Sequence, residues 1–256
     1  MRLALLRHQV RYDQIKFWRD PQAVFFTIAL PVVFLVIFAA IFGNQTVDDR
    51  QGLKVSTYYV PSIIALGVIA AGFVSLSIAV VEERERGIIK RLRATPLPPV
   101  AFVLARASTA VVLSLLVAVV LTLVGRVLYG VTVPDSSVPG IVLTLLVGTA
   151  CFCCLGFALS GVVRSANAAP AVANMIVLPL QMISGIFFPT DLLPASVLQV
   201  AKLFPVYWLA EGLLDGFDPN GPASGVDPTA LAVLAAWGVA GLLVARRTFR
   251  WEPRGR

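Results

Sequence analysis

Between Glu82 and Arg93, eight of twelve residues are charged: Glu82, Glu83, Arg84, Glu85, Arg86, Lys90, Arg91 and Arg93. Acids come first and bases follow. Glu82 and Arg86 stand four apart, the spacing that pairs charges along one helix face. Such a segment offers docking by ion pairs rather than bond making, and no catalytic set accompanies it. The sequence has no G-x-x-x-x-G-K-[ST] phosphate loop, no H-E-x-x-H and no G-x-S-x-G. His8 is the only histidine, and Cys151, Cys153 and Cys154 sit together in an apolar run. Those cysteines read as small packing residues, because a zinc site needs four ligands and none of the others is near. No metal site and no disulfide framework is expected.

The segment interrupts apolar sequence. Residues 55–81 carry no charge and residues 94–125 carry only Arg106. Of the 256 residues 58% are hydrophobic and 14% charged, against about 25% charged in an ordinary globular chain. The apolar runs are continuous rather than alternating, which excludes a β-barrel and selects helices, whose backbone groups pair internally in lipid. Six runs approach the roughly 20 residues a membrane crossing needs: 21–43, 58–81, 100–125, 138–163, 168–188 and 228–245. The expected fold is an all-α polytopic membrane protein, one domain over 1–256 with six transmembrane helices.

Lys and Arg set the orientation. Seventeen of the 21 fall on the side shared by both termini and four on the other. The termini and the 82–99 segment are therefore expected in the cytoplasm of a cell whose plasma membrane the chain crosses. The net charge of +7 is explained by this asymmetry and not by nucleic acid. The N-terminus shows no cleavable signal peptide pattern. Tyr58, Tyr59, Tyr129, Tyr207 and Trp208 are expected at the outer border, Trp18 and Trp251 at the inner one, and Trp237 in packing within the sixth span. Pro31 and Pro179 predict kinks. Gly67/Ala71 and Gly156/Ser160 have the spacing of close helix crossings.

The connecting segments add detail. Residues 1–20 predict an amphipathic helix lying in the interface, with Arg7 and Arg11 toward headgroups or a partner. Around 82–93, Val81, Ile88 and Leu92 share one face with Ile89 beside them, and Thr95 before Pro96 stops the helix. Residues 189–227 contain two short apolar helices broken at Pro205, dipping into the outer leaflet. Residues 246–256 form a cytoplasmic tail. Arg106, near the start of the third span, is expected to snorkel to headgroups. The span centres hold no Asp, Glu, Lys or His, which argues against proton-coupled transport and intramembrane hydrolysis. Energy for transport would come from another chain. Asn174 and Gln181, seven apart on one face of the fifth span, and Ser184 serve either interhelical hydrogen bonding or a substrate path.

Two segments resemble the membrane subunit of ABC-2 type transporters. One is E-R-E-R-G-I-I-K-R-L-R-A-T-P-L-P, from Glu83; the other is S-G-I-F-F-P-T-D-L-L-P, Ser184 to Pro194, followed by Phe204-Pro205 and Glu211. The compact form is similar to daunorubicin-resistance type permeases, which implies multidrug or lipid export. The resemblance implies that 82–93 is a coupling helix seated on a separate nucleotide-binding ATPase subunit, through Glu83, Arg86, Gly87, Lys90, Arg91 and Arg93, with Arg7 and Arg11 touching the same partner. It implies a second permease copy, identical or paralogous, with the path between the two. This chain would hold no cofactor, since ATP and Mg would sit on the partner. The competing reading is a membrane scaffold without a transport path.

Overall fold

The computed structural model describes residues 10–15, 17–42, 46–47, 52–93 and 99–248. The first span helix, α1, runs as Pro21–Val24, a π-helical turn Phe25–Ala29 and Leu30–Phe42. Pro31 cannot donate to a carbonyl in the preceding turn, and its ring crowds that carbonyl. The wide turn at 25–29 accommodates both effects, so the disturbance falls before the proline. A two-residue antiparallel ladder, β1 (Thr46–Val47) with β2 (Leu53–Lys54), leads into α2.

Helix α2 runs from Val55 to Glu85, with a π-helical stretch at Ala70–Ser75. Glu82–Glu85 are thus its own last turn, where a separate helix from Glu82 was expected. Arg86 and Gly87 break it, and a short helix α3 (Ile88–Arg93) follows. Gly87 has φ +69°, and a Cβ there would meet nothing within 4 Å. The left-handed turn requires the glycine. Next come α4 (Pro99–Tyr129), α5 (Val138–Val162), α6 (Ala169–Ile183), α7 (Ala195–Ala201), α8 (Pro205–Phe217) and α9 (Pro228–Thr248).

Five of these helices are long and apolar enough to cross a membrane: α1, α2, α4, α5 and α9. The expected fifth span, 168–188, is helical only to Ile183. Its 15 residues reach about 22 Å, short of a ~30 Å hydrocarbon core. Contacts nevertheless set α6 between the two ends of the bundle. Val163, before α6, accepts from Arg84 at the charged end of α2. Gly185, after α6, accepts from Tyr58 at the other end of α2.

Helices α7 and α8 meet at 97°, and Pro205 opens α8, where its missing N–H costs nothing. Helix α8 runs antiparallel to α5. A Cβ at Gly216 would strike Ile141, and one at Gly148 would strike Leu209. Those pairs carry α8 from about the middle of α5 back to its start. The α7–α8 pair therefore enters and leaves at the end opposite the charged segment. Trp208 donates to the carbonyl of Lys202 (2.7 Å) and Trp237 to that of Leu203 (3.1 Å). These carbonyls sit at the end of α7, where helical partners run out. Trp237, expected only to pack, is thus a hydrogen-bond donor to the corner.

Helix α2 is central, packed against α1, α4, α5, α6 and α8. Its Ile63, Ile64 and Ile69 share one core cluster with Leu121, Leu145, Leu209 and Leu213. At Gly72 the α2 backbone reaches α5. The closest side-chain atom to a Cβ there would be that of Phe152, at 3.2 Å. Helix α9 lies on α5 where Gly238 faces Cys151 and Gly241 faces Cys154 and Leu155. The three cysteines are free and serve this packing, Cys151 and Cys153 fully buried.

Tyr58 and Tyr59, expected as border residues, are buried at 2% exposure each. The Tyr58 hydroxyl donates to the carbonyl of Gly185 and that of Tyr59 to Phe187 at 3.1 Å. Folding the turn after α6 inward brings Phe187 against Phe34 and Phe38 of α1, and the two hydroxyls satisfy carbonyls that water cannot reach. Tyr58→Phe should leave one of them unsatisfied and cost about 1–3 kcal/mol, read as a lower thermal midpoint in detergent. An unchanged midpoint would show that the bond contributes nothing.

Candidate functional site

The charged end of the bundle is built on the last turn of α2. Of its acids, Glu83 points inward. Its carboxylate pairs with the Arg106 guanidinium on α4, and Arg106 Nε lies 3.6 Å from the carboxylate of Asp13 in the N-terminal helical residues. The Asp13, Glu83 and Arg106 side chains are 1%, 7% and 13% exposed. Arg106 also lies over the Phe102 ring, 5.7 Å from its centroid. The expectation that Arg106 snorkels to headgroups is corrected: two carboxylates from other elements hold it. Glu83, expected to contact a partner subunit, is buried against Arg106 instead.

Arg84 is also inward, at 1% exposure. Its Nη1 donates to the carbonyl of Ser160 at 2.7 Å and its Nη2 to that of Val163 at 2.5 Å. These are the last carbonyls of α5, where a helix leaves acceptors unpaired and favours a cation. The sequence reading did not single out Arg84, Asp13 or Arg106 as contacts. The available signal was that α2 has no break before Arg86, so residues 83 and 84 inherit the buried faces of a span helix.

Glu82 and Glu85 remain toward solvent, and the charges that follow them outward are basic. Arg86, Lys90 and Arg91 are exposed, as is Arg11 on the N-terminal helical residues. Arg86 makes a 3.7 Å pair with Glu82 in which both side chains are largely in solvent, so the pair adds little stability. Ile89, fully buried in a cluster with Leu76, Val80 and Phe102, anchors α3. Ile89 was expected beside the apolar face; Ile88, on that face, is only partly buried. Arg93 ends α3, while Arg7 and Thr95–Pro98 lie outside the described residues. Arg164, Arg246 and Arg247 are exposed at this end too.

The three residues considered for a substrate path differ in burial. Asn174 is exposed, whereas Gln181 is 5% and Ser184 0% exposed. The Ser184 hydroxyl donates to the carbonyl of Leu180 in its own helix. The buried seam of α6 runs Ala169, Ala173, Val177, Gln181. Each four-residue step turns about 40° past a full circle, so the seam winds over Gln181 and leaves Asn174 beside it. Met175, Leu178 and Met182 line the exposed side of α6 with Asn174.

The family model for ABC-2 type transporters matches residues 5–217, which takes in the charged end, the inward turn after α6 and the α7–α8 pair. The chain belongs to the ABC-2 type transporter family. It is similar to the putative transport permease YvfS of Bacillus subtilis (strain 168), 23% identical over 208 residues, 81% of this chain and 83% of that one. It is also similar to the inner membrane transport permease YadH of Escherichia coli (strain K12), 24% identical over 195 residues, 75% of each. As an ABC-2 permease with several apolar helices it is a multi-pass plasma membrane protein. Both quoted segments fall inside the matched region, and in the structure they lie at opposite ends of α2.

Proposed function

We propose that this chain is the membrane-spanning permease of an exporter driven by ATP hydrolysed on a separate nucleotide-binding subunit. The charged end faces the cytoplasm, in keeping with its excess of Lys and Arg. The observation that carries the reading is the continuity of α2, which passes from the centre of the core to Glu85 and turns at Gly87 into a short, exposed, basic α3. A force on α3 reaches the core through one helix.

Helix α3 is the coupling element in this reading. Arg86, Lys90 and Arg91 contact the ATPase subunit, Gly87 makes the turn, and Arg11, exposed on the N-terminal helical residues, touches the same partner. Arg93 and Arg7 extend the same contact. The N-terminal helix lies in the interface, and α7–α8 is a re-entrant pair in the outer leaflet. Two copies of the permease pair around the path, with Asn174 and the apolar side of α6 toward it. That lining suits a hydrophobic or amphipathic cargo, drug-like or lipid. Nucleotide moves the inward/outward equilibrium only through differential affinity for the two states.

The test is co-purification with a phosphate-loop ATPase subunit, followed by transport in proteoliposomes. Combined reversal of Arg86, Lys90 and Arg91 to Glu should reduce partner binding at least tenfold, because like charges then face the partner. The permease itself should insert and melt as before, since all three side chains are in solvent. Undiminished binding and transport by the triple variant would exclude α3 as the docking element.

A further inference from the structure

The Asp13–Arg106–Glu83 cluster joins three elements that are separate in sequence. Glu83 precedes α3, Arg106 follows it, and Asp13 belongs to the N-terminal helical residues that lead into α1. The Glu83–Arg106 pair therefore closes the base of the loop that carries α3. Without it, a push on α3 could be absorbed by hinging at Arg86–Gly87 and in the return to α4. With it, residues 83 and 106 cannot separate, and α2 and α4 must move together. Asp13 on the same guanidinium brings in the N-terminal segment. That segment continues to Asp20, whose carbonyl accepts from the amide of Val24 in α1. Below the cluster, Phe102 and Ile89 are both buried, so the joint is dry, and charges in such a site favour well-defined geometry.

We propose that Arg106 is a positioning residue for coupling. It fastens the N-terminal helix, the end of α2 and the start of α4 into one body, so that displacement of α3 moves α1, α2 and α4 together. The proposal rests on the reading of α3 as the coupling element, but the joint itself can be tested without a partner.

The first arm uses the full chain alone in lipid nanodiscs. Its three cysteines are replaced by alanine, and spin labels are placed at Arg19 and Glu85, both exposed and neither assigned to docking. A single narrow distance is expected. Arg106→Gln should broaden it or split it, and Arg106→Lys, which keeps a cation between Asp13 and Glu83, should restore the narrow distribution at least in part. A distribution unchanged by Arg106→Gln would overturn the joint, whatever the partner does. The second arm uses the complex with the ATPase subunit. Arg106→Gln is expected to keep ATP hydrolysis within about threefold and to lose tenfold or more in transport per ATP. Wild-type transport per ATP in that variant would overturn the coupling role. If Arg106→Gln does not insert, Asp13→Asn decides: a well-inserted variant with a broadened distance and reduced transport per ATP supports the joint, and one with the wild-type distance and transport overturns it. A wild-type chain that binds no ATPase subunit would count against the proposed function and leave the outcome of the first arm standing.

Discussion

Gly156→Leu is expected to abolish the folded state, the largest effect of any single substitution considered. A Cβ at Gly156 would lie 2.7 Å from the carbonyl oxygen of Gly72 and 3.1 Å from that of Phe73. These are backbone atoms of α2, so neither neighbour can rotate away. The clash falls where α2 is π-helical, at Ala70–Ser75, and where the α2 backbone meets α5. Overpacking a rigid site typically costs about 1–3 kcal/mol, which is the expectation for Gly156→Ala. Leucine adds three more carbons at the same point. A total stability of roughly 5–15 kcal/mol leaves little after that. The check is monodispersity and thermal unfolding of the purified chain in detergent. A Leu variant that melts within a few degrees of wild type would show that the two helices do not touch there. Gly67→Ala is the useful contrast. There the nearest atom, at 2.8 Å, is a methyl of Val117, a side chain that can give way.

Arg84→Ala should be the second most damaging change, at about 3 kcal/mol. The guanidinium donates to two carbonyls at the end of α5. Removing it leaves both buried acceptors without those donors, each worth about 1–3 kcal/mol when unsatisfied. Arg84→Lys should recover only part of the loss, because an ammonium does not present the planar fork that reaches two acceptors at once. The measurement is thermal unfolding together with hydrogen exchange at 159–165, where protection should fall first. A loss below about 0.5 kcal/mol, the usual range for surface changes, would mean the arginine is not a cap. The contrast with Arg86, two residues on and exposed, is informative. Reversing Arg86 should affect docking and not folding, whereas Arg84 should affect folding in the absence of any partner.

Much of the molecule was legible as sequence. Five of the six apolar runs marked helices of spanning length, because a segment that must satisfy its own backbone in lipid has to be continuously apolar over a fixed length. The break at Pro205 was legible because proline opens helices and does not continue them. The charged block announced an aqueous end of the bundle, and the motifs after Glu83 and Ser184 announced the family, since both are local strings.

The directions of the charges were not legible. Which of eight charged residues point inward depends on helices far away in the chain: Arg84 meets the end of α5, and Glu83 meets α4 across the whole of α3. The pair Gly156/Ser160 and the pair Gly67/Ala71 look alike as spacing, yet the first meets backbone and the second a side chain. The burial of Tyr58 and Tyr59 was not legible either, because it depends on the turn after α6 folding against them. Sequence by itself determined the elements, their apolar lengths and the basic end, since these follow from local hydropathy and charge. Tertiary structure alone decided which charges became joints and which stayed available for a partner, since that follows from how helices distant in sequence pack.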